Sequence, residues 1–354
     1  MKAIITGVLL ALLPAMLQGQ WISGYYSSQN GVLPVSSIPW GKYTHIIHFA
    51  AAPGVDLNGN GNGTVELHYL SQTEINALIA ARPTGKQVLV CIKDNDSHLS
   101  ALAQSTSPAM IATFVSNIAS FLNTNQYDGV DIDWEQNVNV TQYNDLLTRL
   151  RTAMPTKVIT IAVGNWSNLP AVAGASYSQL DQINLMCYDM DSPGNGYSWY
   201  NDALLQSGNL AVMTCDWRAR AFTSAGVAAS KIGVGIPFYG RRWPGATQAL
   251  VNGSFNPSTV LYRDLVSDGT RWQPQYQFYD SIYKSDYLSI PSLNEFDSYD
   301  GPKTINDAVA WGKSQGFGGF MTFTLEYEYL SNQTGNSRYP LSTTLCQDVF
   351  GACP

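Results

Sequence analysis

The chain has 354 residues, 45% of them hydrophobic and 13% charged, which is ample for a large core and within the usual length of a single α/β barrel. Its formal net charge of −7 argues against nucleic acid or an anionic membrane surface as a partner.

Residues 1–19 read as a secretory leader. Lys2 gives the positive start, and Ile4 to Leu17 is an apolar run broken by Pro14, too short to span a bilayer. No later segment reads as transmembrane. The expectation is therefore an exported, extracellular chain of residues 20–354, free of the membrane once the leader is removed. The cysteines are Cys91, Cys187, Cys215, Cys346 and Cys353, an odd count that leaves at least one unpaired. Cys346 and Cys353 lie close together at the tail, where a disulfide could staple the C-terminus in an oxidising compartment. Cys91 and Cys187 fall in predicted strands and read as buried hydrophobes. No Cys/His spacing suggests zinc, and His45 and His48 read as core histidines on a strand.

Strand-like and helix-like segments alternate, the pattern of a parallel sheet with crossover helices. Strands are predicted at 21–26 and 43–50. A Gly/Asn-rich stretch, 58–63, reads as a flexible exposed loop. Ser71 caps a predicted helix through Ala80, and 87–92 is the third strand. Pro108 opens a helix whose Ile111, Phe114, Ile118, Phe121 and Leu122 share one stripe. The fourth strand lies at 127–135, followed by a helix over 141–154. Strands are predicted at 158–163, 183–188, 232–238 and 319–325, with helices over much of 200–221 and over 304–314. Eight strands interleaved with helices predict a (β/α)₈ barrel, whose active site lies at the C-terminal strand ends. The residues between Phe238 and Pro302 exceed an ordinary loop and are rich in Tyr and Trp, so they are expected to fold as an insertion over about 241–300.

The fourth strand carries the chemistry. In Tyr127-Asp128-Gly129-Val130-Asp131-Ile132-Asp133-Trp134-Glu135, the acids Asp131, Asp133 and Glu135 alternate with Val130, Ile132 and Trp134. A strand's period of two puts the three acids on one face and the three apolar side chains on the other. Packed like charges cannot all ionise, so at least one carboxyl keeps a proton near neutral pH, as general acid catalysis requires. A calcium loop would want polar spacers and a glycine at its sixth position, where Gln136 stands.

This segment resembles the D-x-x-D-x-D-x-E signature of family 18 glycoside hydrolases, the chitinases and their relatives, with Asp128, Asp131, Asp133 and Glu135 at the acidic positions. The likeness extends over nearly the whole chain after the leader. Asn184-Leu185-Met186-Cys187-Tyr188-Asp189 resembles the family's M-x-Y-D, and 231–241 resembles its seventh strand. The resemblance implies Glu135 as acid/base, Asp133 and Asp131 as its partners, and Tyr188 as donor to a substrate acetamide. It further implies Asp128, Met186, Asp189, Tyr239 and Arg241 as substrate-binding residues, with Tyr25 and Phe49 on the pocket floor. The implied enzyme is a monomer acting on chitin or chitooligosaccharides, with no metal and no organic cofactor. Two departures stand out. Cys91-Ile92-Lys93-Asp94 replaces the family's S-x-G-G, which implies changed hydration or orientation of Asp131. Phe323 replaces the tryptophan beneath the reacting sugar, implying weaker grip. Implied alternatives are an endo-β-N-acetylglucosaminidase acting on N-glycans and a non-catalytic chitin-binding lectin.

Overall fold

The computed structural model describes residues 20–27, 31–190, 196–206 and 212–353, so the expected leader lies outside the described residues. The first strands are β1 (Trp21–Tyr26), β2 (His45–Val55), β3 (Gly61–Glu66), β4 (Gln87–Lys93), β5 (Gly129–Asp133), β6 (Val158–Val163), β7 (Gln182–Leu185) and β8 (Ile232–Pro237). They are followed by β9 (Tyr239–Pro244), β10 (Ser258–Leu261), β11 (Gln277–Asp280), β12 (Ser285–Ile290), β13 (Glu295–Tyr299) and β14 (Gly319–Phe323). The parallel ring β1-β2-β4-β5-β6-β7-β8-β14 closes on itself through β14 and β1. Outside it lie α1 (Gln72–Ala81), α2 (Ala101–Ser105), α3 (Ile111–Thr124), α4 (Val140–Ala153), α5 (Leu169–Ser176), α6 (Cys215–Ser224), α7 (Tyr262–Ser267), α8 (Pro302–Ser314) and α9 (Pro340–Phe350). This is the expected (β/α)₈ barrel.

Strand alternation divides the core in two. Val88, Val90 and Ile92 of β4, Val130 and Ile132 of β5, and Ile159 and Ile161 of β6 face outward. There they meet Phe114 and Ile118 of α3 and Tyr143, Leu146 and Leu150 of α4. Trp134 joins this layer with its ring 5.1 Å from that of Tyr143, whose hydroxyl donates to the Ile132 carbonyl at 3.1 Å. The alternate residues fill the barrel: Tyr25, Ile47, Leu89, Cys91, Ala162, Met186, Tyr188, Tyr239 and Met321 belong to a second, separate cluster. Helix starts follow local chemistry. The Ser71 hydroxyl accepts from the Glu74 amide and caps α1, and Asn139 and Thr214 do the same for α4 and α6.

Several expectations are corrected. The expected exposed loop is confined to 58–60, where Asp56 accepts from the Asn58 and Asn60 amides; residues 61–63 instead enter β3, which pairs antiparallel with β2. Helix α3 starts at Ile111 after a turn containing Pro108, not at Pro108. The predicted helix over 200–221 begins only at Cys215. Its first part is claimed by the insertion instead, with the Asn201 amide donating to Ser298 and the Leu204 amide to the Tyr283 carbonyl. Helices α5 and α9 carry no sequence-based expectation. The insertion is a five-stranded antiparallel sheet, β10-β9-β13-β12-β11, entered directly from β8.

The tail disulfide Cys346–Cys353 forms and Cys91 is free and buried, as the spacing suggested. Cys187 is not a mere packing residue: it is bonded to Cys215 at the start of α6, 28 residues on. A link closing a loop of that size stabilises by about 3–4 kcal/mol in the chain-entropy picture. Cys215→Ser with Cys187→Ser should lower stability by about that much, read from the urea midpoint. A midpoint within experimental error of the parent would show that the link adds nothing.

Candidate active site

The acidic strand delivers its alternation. Asp131 and Asp133 are buried inside the barrel, while Val130, Ile132 and Trp134 are buried outside it. Glu135 lies two residues past the end of β5, half-buried at the barrel mouth. Asp131 is well supplied with donors: Thr160 Oγ1 at 2.5 Å and the Tyr25 hydroxyl at 2.8 Å. The register explains this, since β5 lies between β4 and β6 and sets Asp131 opposite both Cys91 and Thr160. Burial raises the Asp131 carboxyl, and the bonds from Thr160 and Tyr25, with the Cys91 thiol beside them, oppose the rise. The thiol of Cys91 thus stands where the family's serine was missed, and Asp131 is not left short of partners.

Asp133 is the opposite case. One of its oxygens is buried with no hydrogen-bond partner among the described residues. Burial first, then the charges of Glu135, Asp131 and Asp94, hold its carboxyl well above the usual range, and only Lys93 pulls the other way. Glu135 is pushed up to about 7, chiefly by burial and then by Asp94 and Asp189, against Lys93 and Arg218. The site has too few cations for its acids, so it holds protons.

The other expected residues gather at the same end of the barrel, with one exception. Met186 and Tyr188 follow β7 and turn inward together. Among the described residues, the Tyr188 hydroxyl reaches only the Met321 sulfur, at 3.9 Å. Asp189, at φ +54°, accepts from the Tyr239 hydroxyl at 2.9 Å and from Arg241 at 2.8 Å. Phe323 is central to an aromatic floor. Its ring lies 5.2 Å from Phe49, edge to face, 5.6 Å from Tyr25 and 6.1 Å from Tyr188. The exception is Asp128. It precedes β5 at the far end of the barrel, roughly five strand residues or ~16 Å below Asp133. There it pairs with Arg82 and accepts from the Val88 amide at 2.7 Å, so it ties α1 and β4 to β5 and touches no substrate.

Sequence reasoning missed four contributors. Thr160 was legible as the one polar residue in an otherwise apolar strand. Lys93 and Asp94 were noted only as departures. Lys93 pairs with Asp96 and lies over Phe49 and Tyr69, and Asp94 accepts from the Glu135 and Gln136 amides. Arg218, buried on α6, donates to the Met186 and Tyr188 carbonyls and stacks on Trp166, 5.0 Å away. Its helix was misplaced, so nothing in the pattern pointed to it. Among the described residues, no group of three or more His, Cys, Asp or Glu side chains is arranged to hold a metal ion.

A closed parallel barrel with a ladder of acids at its mouth, their carboxyls raised by burial, defines an acid–base site of the glycoside hydrolase kind. A family model described as "Glycosyl hydrolases family 18" matches residues 21–328, and the chain belongs to that family. It is 26% identical over 325 residues to Chitinase 1 of Aphanocladium album, covering 81% of this chain and 76% of that protein. It spans less than half the length of two other curated relatives, 45% and 40%. Among solved structures, the class V chitinase of Nicotiana tobaccum superposes with a TM-score of 0.79 at 20% identity, covering 94% of this chain and 99% of that one. The chitinase-like agglutinin of Robinia pseudoacacia gives 0.77 at 21% identity, with coverages of 92% and 99%.

Glu135 is raised from 4.5 to about 7 on folding, so the native state holds its proton between those values while the unfolded chain loses it. That stabilisation is fully present below about 4.5 and disappears as pH rises through about 7. His45, lowered to about 4, contributes a slope of opposite sign over part of the range, so the comparison must be with a variant. Glu135→Gln should match the parent's thermal midpoint at pH about 4 and exceed it at pH about 8. Equal midpoints at both values would mean the carboxyl is not raised.

Proposed function

We propose that this chain is a secreted chitinase, cleaving β-1,4-linked N-acetylglucosamine polymers with retention of anomeric configuration. The reading rests on one observation above all: Glu135 sits at the barrel mouth with its carboxyl pushed up to about 7, beside a second acid whose carboxyl burial also raises. The relatives' names support the substrate class.

Glu135 gives its proton to the glycosidic oxygen as the bond from that oxygen to the anomeric carbon breaks. The acetamide oxygen of the same sugar attacks the anomeric carbon from the opposite face, closing a positively charged oxazolinium ring. Family 18 uses the substrate in this way instead of a second enzyme carboxylate as nucleophile. Asp133, its proton passed to Asp131, accepts the acetamide N–H, and its negative charge offsets the positive charge of the ring. Tyr188, whose hydroxyl has only a sulfur neighbour, donates to the acetamide oxygen and orients it. Water then opens the ring, gives its proton to Glu135 and leaves a retained product. Asp189, set by Tyr239 and Arg241, binds the distorted sugar, and the Phe323 floor stacks beneath it. No step draws on a metal or cofactor. Residues 1–19 serve as the export leader.

The agglutinin neighbour makes a binding protein the second reading. The presence of Glu135 and its raised carboxyl favours the enzyme. Glu135→Gln should cut turnover of N-acetylglucosamine oligomers by about 10²–10⁴-fold and retain their binding. Proton NMR of the first product should show the β anomer, and deacetylated oligomers should resist cleavage. Binding without turnover by the parent would make this a lectin. Release of glycan from a high-mannose glycopeptide, with oligomers untouched, would make it an endo-β-N-acetylglucosaminidase.

A further inference from the structure

We propose that Asp94 is a positioning residue for Glu135: one carboxylate oxygen anchors the main chain that carries the acid, and the charge it adds to a buried site holds a proton on Glu135. This rests on Glu135 being the acid of the proposed reaction.

The argument starts from the ladder. β4 and β5 pair in parallel only as far as Lys93 opposite Asp133. Beyond that point the Glu135 and Gln136 amides have left the strand and need another acceptor. Asp94, the first residue after β4, supplies it. Its Oδ2 accepts from the Glu135 amide at 2.9 Å and from the Gln136 amide at 2.8 Å. Two bonds to consecutive amides fix the direction in which Glu135 leaves the strand.

A neutral acceptor would do as much for the main chain, so the charge needs its own reason. Asp94 is only 6% exposed, and its Oδ1 is buried with no partner among the described residues. Its obvious counter-ion, the neighbouring Lys93, is paired with Asp96 instead. A buried carboxylate that is not ion-paired is costly, and such cost recurs at functional sites. The groups acting on Glu135 are Asp94 and Asp189 on the negative side and Lys93 and Arg218 on the positive side, with the Asp133 carboxyl and Tyr188 hydroxyl alongside. Of the carboxylates, Asp94 is the largest influence. Its own carboxyl is raised to about 6 by burial, against the two amide bonds, and its charge resists ionisation of Glu135.

Asp94→Asn and Asp94→Ser both keep an oxygen acceptor and remove the charge. The test reads kcat/KM against pH on N-acetylglucosamine oligomers. It also follows the Glu135 carboxyl carbon by ¹³C NMR in the free protein, with the resonance assigned by its loss in Glu135→Gln. In either variant that folds, the alkaline limb and the NMR midpoint should both move to lower pH by roughly half a unit or more. KM should stay within about twofold of the parent. A lower kcat or thermal midpoint with both pH readouts unmoved would reduce Asp94 to a structural acceptor and overturn the proposal. If the parent shows no turnover, the chitinase reading falls, and the NMR midpoint still decides the role of Asp94.

Discussion

The governing constraint is the strand's period of two inside a closed apolar barrel. It forces Asp131, Asp133 and Glu135 to one side and gives them little water. Three acids so placed cannot share the same state, and the neighbours grade them. Asp131 has donors from β6 and from β1, and they oppose the rise that burial imposes on its carboxyl. Asp133 lacks them, and its carboxyl is held well above the usual range. Glu135, at the mouth, falls near 7, where a proton can be both given and regained. Its acid character comes from burial first and then from neighbouring carboxylates that Lys93 and Arg218 offset only in part, Lys93 being drawn to Asp96 and Arg218 giving two bonds to main-chain carbonyls.

The barrel fixes the strands, but the reacting groups lie just past their ends, where the ladder no longer holds the backbone. Each such segment has its own anchor. Asp94 receives the amides after β5. Arg218 receives no hydrogen bond there but gives two, to the carbonyls after β7, and the Cys187–Cys215 link pulls the same segment toward the same helix. The insertion supplies a third anchor. Because β9 starts immediately after β8, Tyr239 and Arg241 share a face and both reach Asp189. Catalytic loops are thereby given the rigidity of secondary structure without belonging to it.

The sequence was most legible where one short-range rule governed many residues. Strand alternation exposed the acid ladder, and apolar periodicity located the eight barrel strands to within a few residues. It was least legible where long-range contacts decided the outcome. Residues 200–206 have helix-compatible side chains, yet Asn201 and Leu204 are bonded to the insertion, which no local pattern foretells. Asp128 misled for a related reason. Motif spacing groups it with the other acids, but its odd offset from Asp131 and its place before β5 carry it to the far end of the barrel. That much could have been worked out from the strand period alone. Arg218 could not, since its role depends on a fold-back of α6 onto β7.

The aromatic floor shows how a substitution that looks damaging in sequence is absorbed by its surroundings. Phenylalanine at 323 offers less area than tryptophan and no indole donor. Yet its ring is fixed by Tyr25, Phe49, Tyr188 and Tyr327, with centroids 5.2–6.3 Å away. A ring held on several sides loses little further freedom when a sugar stacks on it, which offsets part of the missing area. The missing donor is a different matter, because stacking has no direction within the ring plane. Polar selection under the proposed chemistry must then fall to the wall formed by Tyr188, Asp189, Tyr239 and Arg241. Three of these four are already bonded to one another, and only the Tyr188 hydroxyl has no oxygen or nitrogen partner among the described residues. In the proposed reaction, recognition of the acetamide would therefore concentrate on a single hydroxyl, that of Tyr188.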